Sequence, residues 1–410
     1  MRLRPFIFVL LLFYAPVVMC QKGLNSIYSA YGIGDYKMRA PNTWLGMGNV
    51  GVAIPSQNAI NEINPGSFGW IPKDKFQLEI TLGGSSNRYV NEYVNTQAGD
   101  FSIARAAIGL QVVNPIKTVI GLRRFSQVEY YTTLNRQIAG SATNLKTDVE
   151  GNGGLYQLYM GNAVLIGKKL SLGISTGFIF GSVNQKETMT LNEAESLISE
   201  KNKYYNQGSL SAGLQYQFGK GKSKWMFGAF YEPQIRMNVL VESQLKDQGD
   251  VVLGAKDQED TKFIYPQKYG AGLTFSRNTF SASVDMIGHL WSSTGYRGDH
   301  FNTTDAYSIS AGVRHQFIRN TMWGKANGTA IFAGYNRETS YLIIEGKQLL
   351  SNAATLGATF PSRNNLNYYT IGCKIGTRGR AVYPMIKENF FEFNFNLNFG
   401  GFFYKGKKYD

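Results

Sequence analysis

The segment 388-ENFFEFNFNLNFG-400 switches between two chemistries at every step. Phe391, Phe393, Phe395, Leu397 and Phe399 fall on one face of an extended chain, and Glu392, Asn394, Asn396, Asn398 and Gly400 on the other. Successive side chains of a strand point to opposite sides, so this strand has an apolar, mostly aromatic wall backed by a wall of amides. Cores of soluble sandwiches draw instead on Val, Ile and Leu. A strand with lipid outside and a polar lumen inside needs this pattern. Phe402, Phe403 and Tyr404 follow, as expected of an aromatic belt at a membrane interface.

The rest of the chain fits a single closed sheet. No Pro/Ser-rich linker divides the 410 residues, and 46 glycines, 14% aromatic and only 17% charged residues suit strands better than helices. No apolar run long enough for a spanning helix exists beyond the N-terminus. There, Arg2 and Arg4 precede 6-FIFVLLLFYAPVV-18, which reads as an export signal over residues 1–20 with cleavage after Cys20. A retained anchor and lipid modification of Cys20 are the alternatives, the second weakened by the bulky Met19. Removal of Cys20 would leave Cys373 alone, so an internal disulfide is not expected. The net charge of +14 comes from scattered Lys and Arg that form no basic stripe, so nucleic acid is not an expected partner. Anionic lipid, lipopolysaccharide or an acidic ligand in the lumen answers that charge instead.

Alternation and turn residues mark fourteen strands, at 74–84, 101–112, 117–133, 155–167, 169–186, 203–218, 223–240, 262–276, 279–291, 303–317, 327–342, 350–360, 366–377 and 388–402. Their connections alternate between short turns and long polar loops, the latter at 85–100, 134–154, 187–202, 241–261, 292–302, 343–349 and 378–387. The expected fold is therefore an all-β, 14-stranded antiparallel transmembrane barrel, residues 73–410, with its long loops at one end. Residues 21–72 lack alternation and are expected to form a hatch, or plug, inside the lumen. A tail outside the barrel is the alternative.

Within that segment, 28-YSAYGIGD-35, 46-GMGNVGVA-53 and 61-NEINPGSFG-69 resemble the start of the FadL-like outer-membrane transport family, channels for long-chain fatty acids and hydrocarbons. The resemblance implies a bacterial outer-membrane location and passive uptake of hydrophobic or amphipathic small molecules. It also implies a lateral exit at a kinked third strand. The family's "NPA" tripeptide appears here as Asn64-Pro65-Gly66, departing at its third position. In the third strand, Ile120 and Leu122 point one way and Arg124 would follow them into lipid. A charge there costs about 2–4 kcal/mol, so a bulge near Arg123–Arg124 is expected; an interfacial position for Arg124 is the plainer account. The shuttle subunit of the type IX secretion system is similar to the same family, so a non-transporting partner barrel of a protein secretion machine is the alternative function.

Other motifs yield less. Gly46-Met47-Gly48-Asn49-Val50-Gly51 satisfies G-x-G-x-x-G without the flanking strand and helix of a dinucleotide site. His289, His300 and His315 have no metal-ligand spacing. Asp285 and His289 share a face with Ser281 and Ser283, the best hydrolytic grouping available, though a polar lumen wall supplies the same residues. No catalytic residue, metal or cofactor is expected. Face assignments place Arg105, Lys268, Asp285, Arg314, Lys374 and Glu392 in the lumen with Arg123 beside them, a basic excess that would favour anions; pairing of hatch to wall is the alternative. The acidic segment 247-DQGDVVLGAKDQED-260 reads as an external loop.

Overall fold

The computed structural model is a sheet closed on itself, its last strand paired with its first. The structure describes residues 27–402 except 31–32, 37, 40–41, 93–94, 138–143, 193–194, 248, 250, 255–256, 299–300, 322–323, 345 and 382–384. The described residues form fourteen barrel strands. These are β1 (Lys75–Val90), β2 (Asn95–Val113), β3 (Ile116–Gln137), β4 (Asn144–Ile166), β5 (Leu170–Asn192) and β6 (Glu195–Phe218). Next come β7 (Ser223–Glu232 continuing as Ile235–Lys246) and β8 (Asp257–Tyr265 continuing as Lys268–Arg277). The circuit ends with β9 (Phe280–His289), β10 (Ala306–Thr321), β11 (Gly324–Ile344), β12 (Lys347–Pro361), β13 (Tyr368–Arg378) and β14 (Lys387–Phe402). Neighbours pair antiparallel around the ring, and β14 closes on β1 from Lys75↔Phe402 to Val90↔Lys387. The interruptions of β7 and β8 fall at Pro233 and Pro266, residues without an N–H for the ladder.

Each strand segment read from the sequence matches one barrel strand, but the expected long loops are mostly strand. β3 to β6 run 22 to 24 residues, about 75 Å of extended chain, where roughly 9–11 residues cross a bilayer. Residues 85–90 and 95–100 remain paired, Ile344 pairs with Lys347, and Asp257–Asp260 belong to β8. Beyond the membrane a strand no longer needs a lipid face, so alternation fades while backbone pairing continues.

The face assignments hold. Phe391 and Phe393 are exposed toward lipid, whereas Asn394, Asn396 and Asn398 are buried inward. Inside run the described residues between 27 and 71, among which there are three short 3-10 turns, Ile27–Ala30, Leu45–Met47 and Pro65–Trp70. The polar backbone of this segment is satisfied partly from within and partly by the wall: Asn394 Nδ2 donates to Asn42 O (2.6 Å), and Thr355 Oγ1 accepts from Gly48 N (2.7 Å). Packing is close enough that a Cβ on Gly46 would lie 2.6 Å from Gly357 of β12.

Candidate functional site

Near the third strand the ring parts locally. Pairing of β2 with β3 runs from Val113↔Ile116 to Arg105↔Arg123 and stops. Beyond it, among the described residues, β2 pairs only with β1, and β3 only with β4 and, at Gln127, with Asp35 of the hatch. Both strands carry an extra residue at the parting: Ala104 faces a register shift of β1 between Thr81 and Leu82, and Phe125 one between Arg124 and Ser126. A bulge bends its strand and increases its twist, so two bulges at one level swing the strands apart. The extra residue is Phe125, one step past the Arg123–Arg124 position expected. Its ring packs on Tyr36 of the hatch (5.4 Å between centroids) and on Tyr265 (5.2 Å). Arg124 stays opposite Tyr156 and reaches across the gap to Asp100 of β2 at 3.2 Å.

The hatch backs this gap. Asp35 N donates to Gln127 O (2.7 Å), and Ser29 Oγ donates to Glu129 O (3.2 Å), so backbone groups on the open edge of β3 find partners. Between hatch and wall lies a cavity of about 100 Å³, lined by Tyr36, Met38, Leu45, Ala104, Phe125, Phe390 and Phe393 together with charged groups. Those charges are matched: Lys268 lies 3.6 Å from Glu232, and Arg378 lies 3.0 Å from Asp35 and 3.6 Å from Glu388. Around this cavity, therefore, hatch and wall carboxylates answer the cations, and the expected basic excess is not found there. A buried charge without a counter-charge is costly, and the hatch members of these pairs sit where no alternation marks them.

The remaining candidates fasten hatch to wall. Arg105 pairs with the buried Glu79, lies 3.9 Å from Glu62 and donates to Ile60 O at 3.1 Å. Arg123 reaches Glu62 at 3.4 Å. Burial alone would raise the Glu62 pKa, but Arg123 and Arg105 outweigh it and hold the carboxyl below its usual range. Asn64 caps the turn at Pro65 by accepting from Gly66 N (2.9 Å), and its Nδ2 donates to Val52 O and, in β6, Leu214 O. A Cβ on Gly66 would meet the Leu214 backbone at 2.7 Å, which explains glycine at the position where the family motif has alanine. Asp285 accepts from Gly51 N (2.5 Å) and Val52 N (2.8 Å) and lies 3.4 Å from Arg39. The G-x-G-x-x-G segment therefore docks on a wall carboxylate, and its anion is the protein's own. His289 packs on Tyr36 (5.4 Å), without a hydrogen-bond partner for either ring nitrogen among the described residues, so the hydrolytic grouping is not assembled. His300 lies outside the described residues. Lys374 is buried with its ammonium over the Phe390 ring (5.4 Å), and Arg314 lies over Phe332 (5.9 Å). Sequence reading missed Glu62, Glu79 and Asp35; only their place in or against an irregular segment could have flagged them.

A family model described as BamG matches residues 2–410. The chain belongs to the BamG family. No curated protein sequence matches it. Solved structures similar to this member of the family include the Pseudomonas putida toluene transporter TodX, with a TM-score of 0.62 at 13% identity over 90% of this chain and 100% of that one. The Ralstonia pickettii toluene transporter TbuX gives 0.60 at 13% identity over 90% and 99%. A Pseudomonas aeruginosa FadL homologue gives 0.61 at 11% identity over 90% and 99%. The fold is that of FadL-type outer-membrane channels.

Proposed function

We propose that the protein is a bacterial outer-membrane channel for passive uptake of hydrophobic or amphipathic compounds such as long-chain fatty acids, which leave the lumen sideways between β2 and β3. The observation that carries this reading is the parting of those strands beyond Arg105 and Arg123, backed by the cavity at Phe125. In this reading residues 1–20 are a signal peptide, 21–72 the hatch and 73–410 the barrel. Axial passage is obstructed where the hatch touches the wall backbone, as at Gly46 and Gly357. An apolar tail would cross the lipid-facing rings of Phe101 and Phe393, stacked at 6.2 Å, while Arg123, Arg124 and Lys268 meet a polar head. Asn64, Pro65, Gly66 and Arg105 hold the hatch in place; Arg314 and Lys374 line the lumen.

Deletion of Phe125 tests it. Arg124 and Ser126 already pair with Tyr156 and Leu155, so the deletion leaves a regular ladder and removes the kink. Uptake of a fluorescent long-chain fatty acid should fall more than tenfold with normal assembly at the cell surface. Parental uptake by this variant would reject the lateral route.

The second reading, a non-transporting partner barrel of a secretion machine, is supported by the outer edge of β2, whose upper half pairs only with β1 among the described residues. Such an edge accepts a strand from another protein. A parent that transports nothing and co-purifies stoichiometrically with a large complex would favour it.

A further inference from the structure

At the short-turn end, below the hatch, lies a second cavity, of about 160 Å³, with no carboxylate among the described residues that line it. Among those described residues the one cationic side chain is Arg314 of β10. Arg39, Arg105, Arg123, Arg124, Lys268 and Arg378 each face a carboxylate within 4 Å. Arg314 has none among the described residues; it donates to Gln316 and lies over Phe332.

The wall beside it is built of hydroxyl couples. Register sets Ser281 opposite Arg314, and Ser276 opposite Ser281. Ser276 bonds Ser281 (3.1 Å), Thr274 bonds Ser283 (2.8 Å), and Thr359 of β12 bonds Thr370 of β13 (2.7 Å). Two hydroxyls that share one hydrogen bond use one proton and keep the other to donate elsewhere. Trp44, Phe332 and Tyr368 supply flat apolar surface on the same cavity. A guanidinium without a counter-ion, flanked by hydroxyl donors and rings, has the chemistry to hold an oxyanion carried on a small apolar group.

We propose that this cavity binds a small organic carboxylate, its oxygens on Arg314 and the Ser276–Ser281 couple and its apolar part against Phe332 and Tyr368. A cavity of about 150 Å³ takes one benzene, so a single ring or short alkyl chain fits. This site is separate from the lateral gap and stands whether or not the protein transports.

Calorimetric titration of the full chain in detergent with sodium benzoate, at constant ionic strength, tests the assignment. Saturable binding is expected, weakened at least tenfold in Arg314→Met and a few-fold in Ser276→Ala/Ser281→Ala, with neutral benzamide not binding. Arg314→Lys, which keeps the charge, should retain part of the affinity and serves if Arg314→Met does not assemble. Tighter binding of inorganic phosphate than of benzoate would overturn the role of the apolar surface. Non-saturating benzoate heats, parental affinity in Arg314→Met, or equal binding of benzamide would overturn the site.

Discussion

Replacing Glu79 with Gln should undock the hatch while leaving the barrel closed. Glu79 is fully buried on β1 and accepts from Ile60 N (2.7 Å) and Thr43 Oγ1 (3.1 Å) of the hatch, and from Asn396 (2.8 Å) and Asn398 (3.0 Å) of β14. It also pairs with Arg105, itself 1% exposed. Gln keeps the shape but loses the charge and puts an NH2 where an oxygen accepts. Arg105 is then left with Glu62 at 3.9 Å, a carboxylate already serving Arg123. Removing one partner of a buried pair costs about 3–5 kcal/mol, and the individual hydrogen bonds are not to be added to that. The β1 backbone ladder is untouched, so the cost falls on hatch docking. At about 1.4 kcal/mol per tenfold, hatch opening should rise between about a hundred- and a few-thousand-fold. Amide hydrogen exchange of residues 43–71 in lipid vesicles measures it, with heat-modifiable gel mobility reporting the barrel. Parental exchange in the hatch, or loss of the barrel without hatch opening, would refute the reasoning. Adding Arg105→Met should recover at least half of the loss, because the stranded charge is then gone.

Other substitutions address separate contacts. Gly66→Ala should destabilise hatch docking by about 1–3 kcal/mol, since its Cβ would meet the Leu214 backbone at 2.7 Å; unchanged proteolysis of the hatch would contradict this. Ile371→Arg, at a lipid-exposed position of β13, should cost about 2–4 kcal/mol in folding into vesicles, and a cost near zero would reject the face assignment. The Glu62 carboxyl is held lower in the folded protein than in the unfolded chain. Its contribution is therefore complete above the unfolded value of about 4.3 and is lost as pH falls from there through the lowered value. Hatch protease sensitivity should rise only on that acid side, and Glu62→Gln should flatten the dependence.

The outer wall was legible in the sequence because lipid imposes a rule on every second residue. Phe391 to Phe399 and Ile120 with Leu122 obey it, and short turns such as that at Arg277–Asn278 punctuate it. The extents of β3 to β6 were not legible, since outside the bilayer no solvent contrast marks the paired chain. The kink was signalled by Arg124 breaking its phase, yet which residue bulges depended on the partner strand, where Tyr156 and Leu155 are adjacent and leave Phe125 over.

What the sequence alone determined is thus a two-sided strand pattern repeated fourteen times, with an irregular segment before it. Only the tertiary structure decided what the inner face is for. Whether Asn396, Arg105 or Asp285 meets water, a ligand or the hatch depends on which residues of an aperiodic segment come to lie against it. That choice is made by burial and by the need to match each enclosed charge. The same principle leaves Arg314 apart, since among the described residues no carboxylate comes within reach of it.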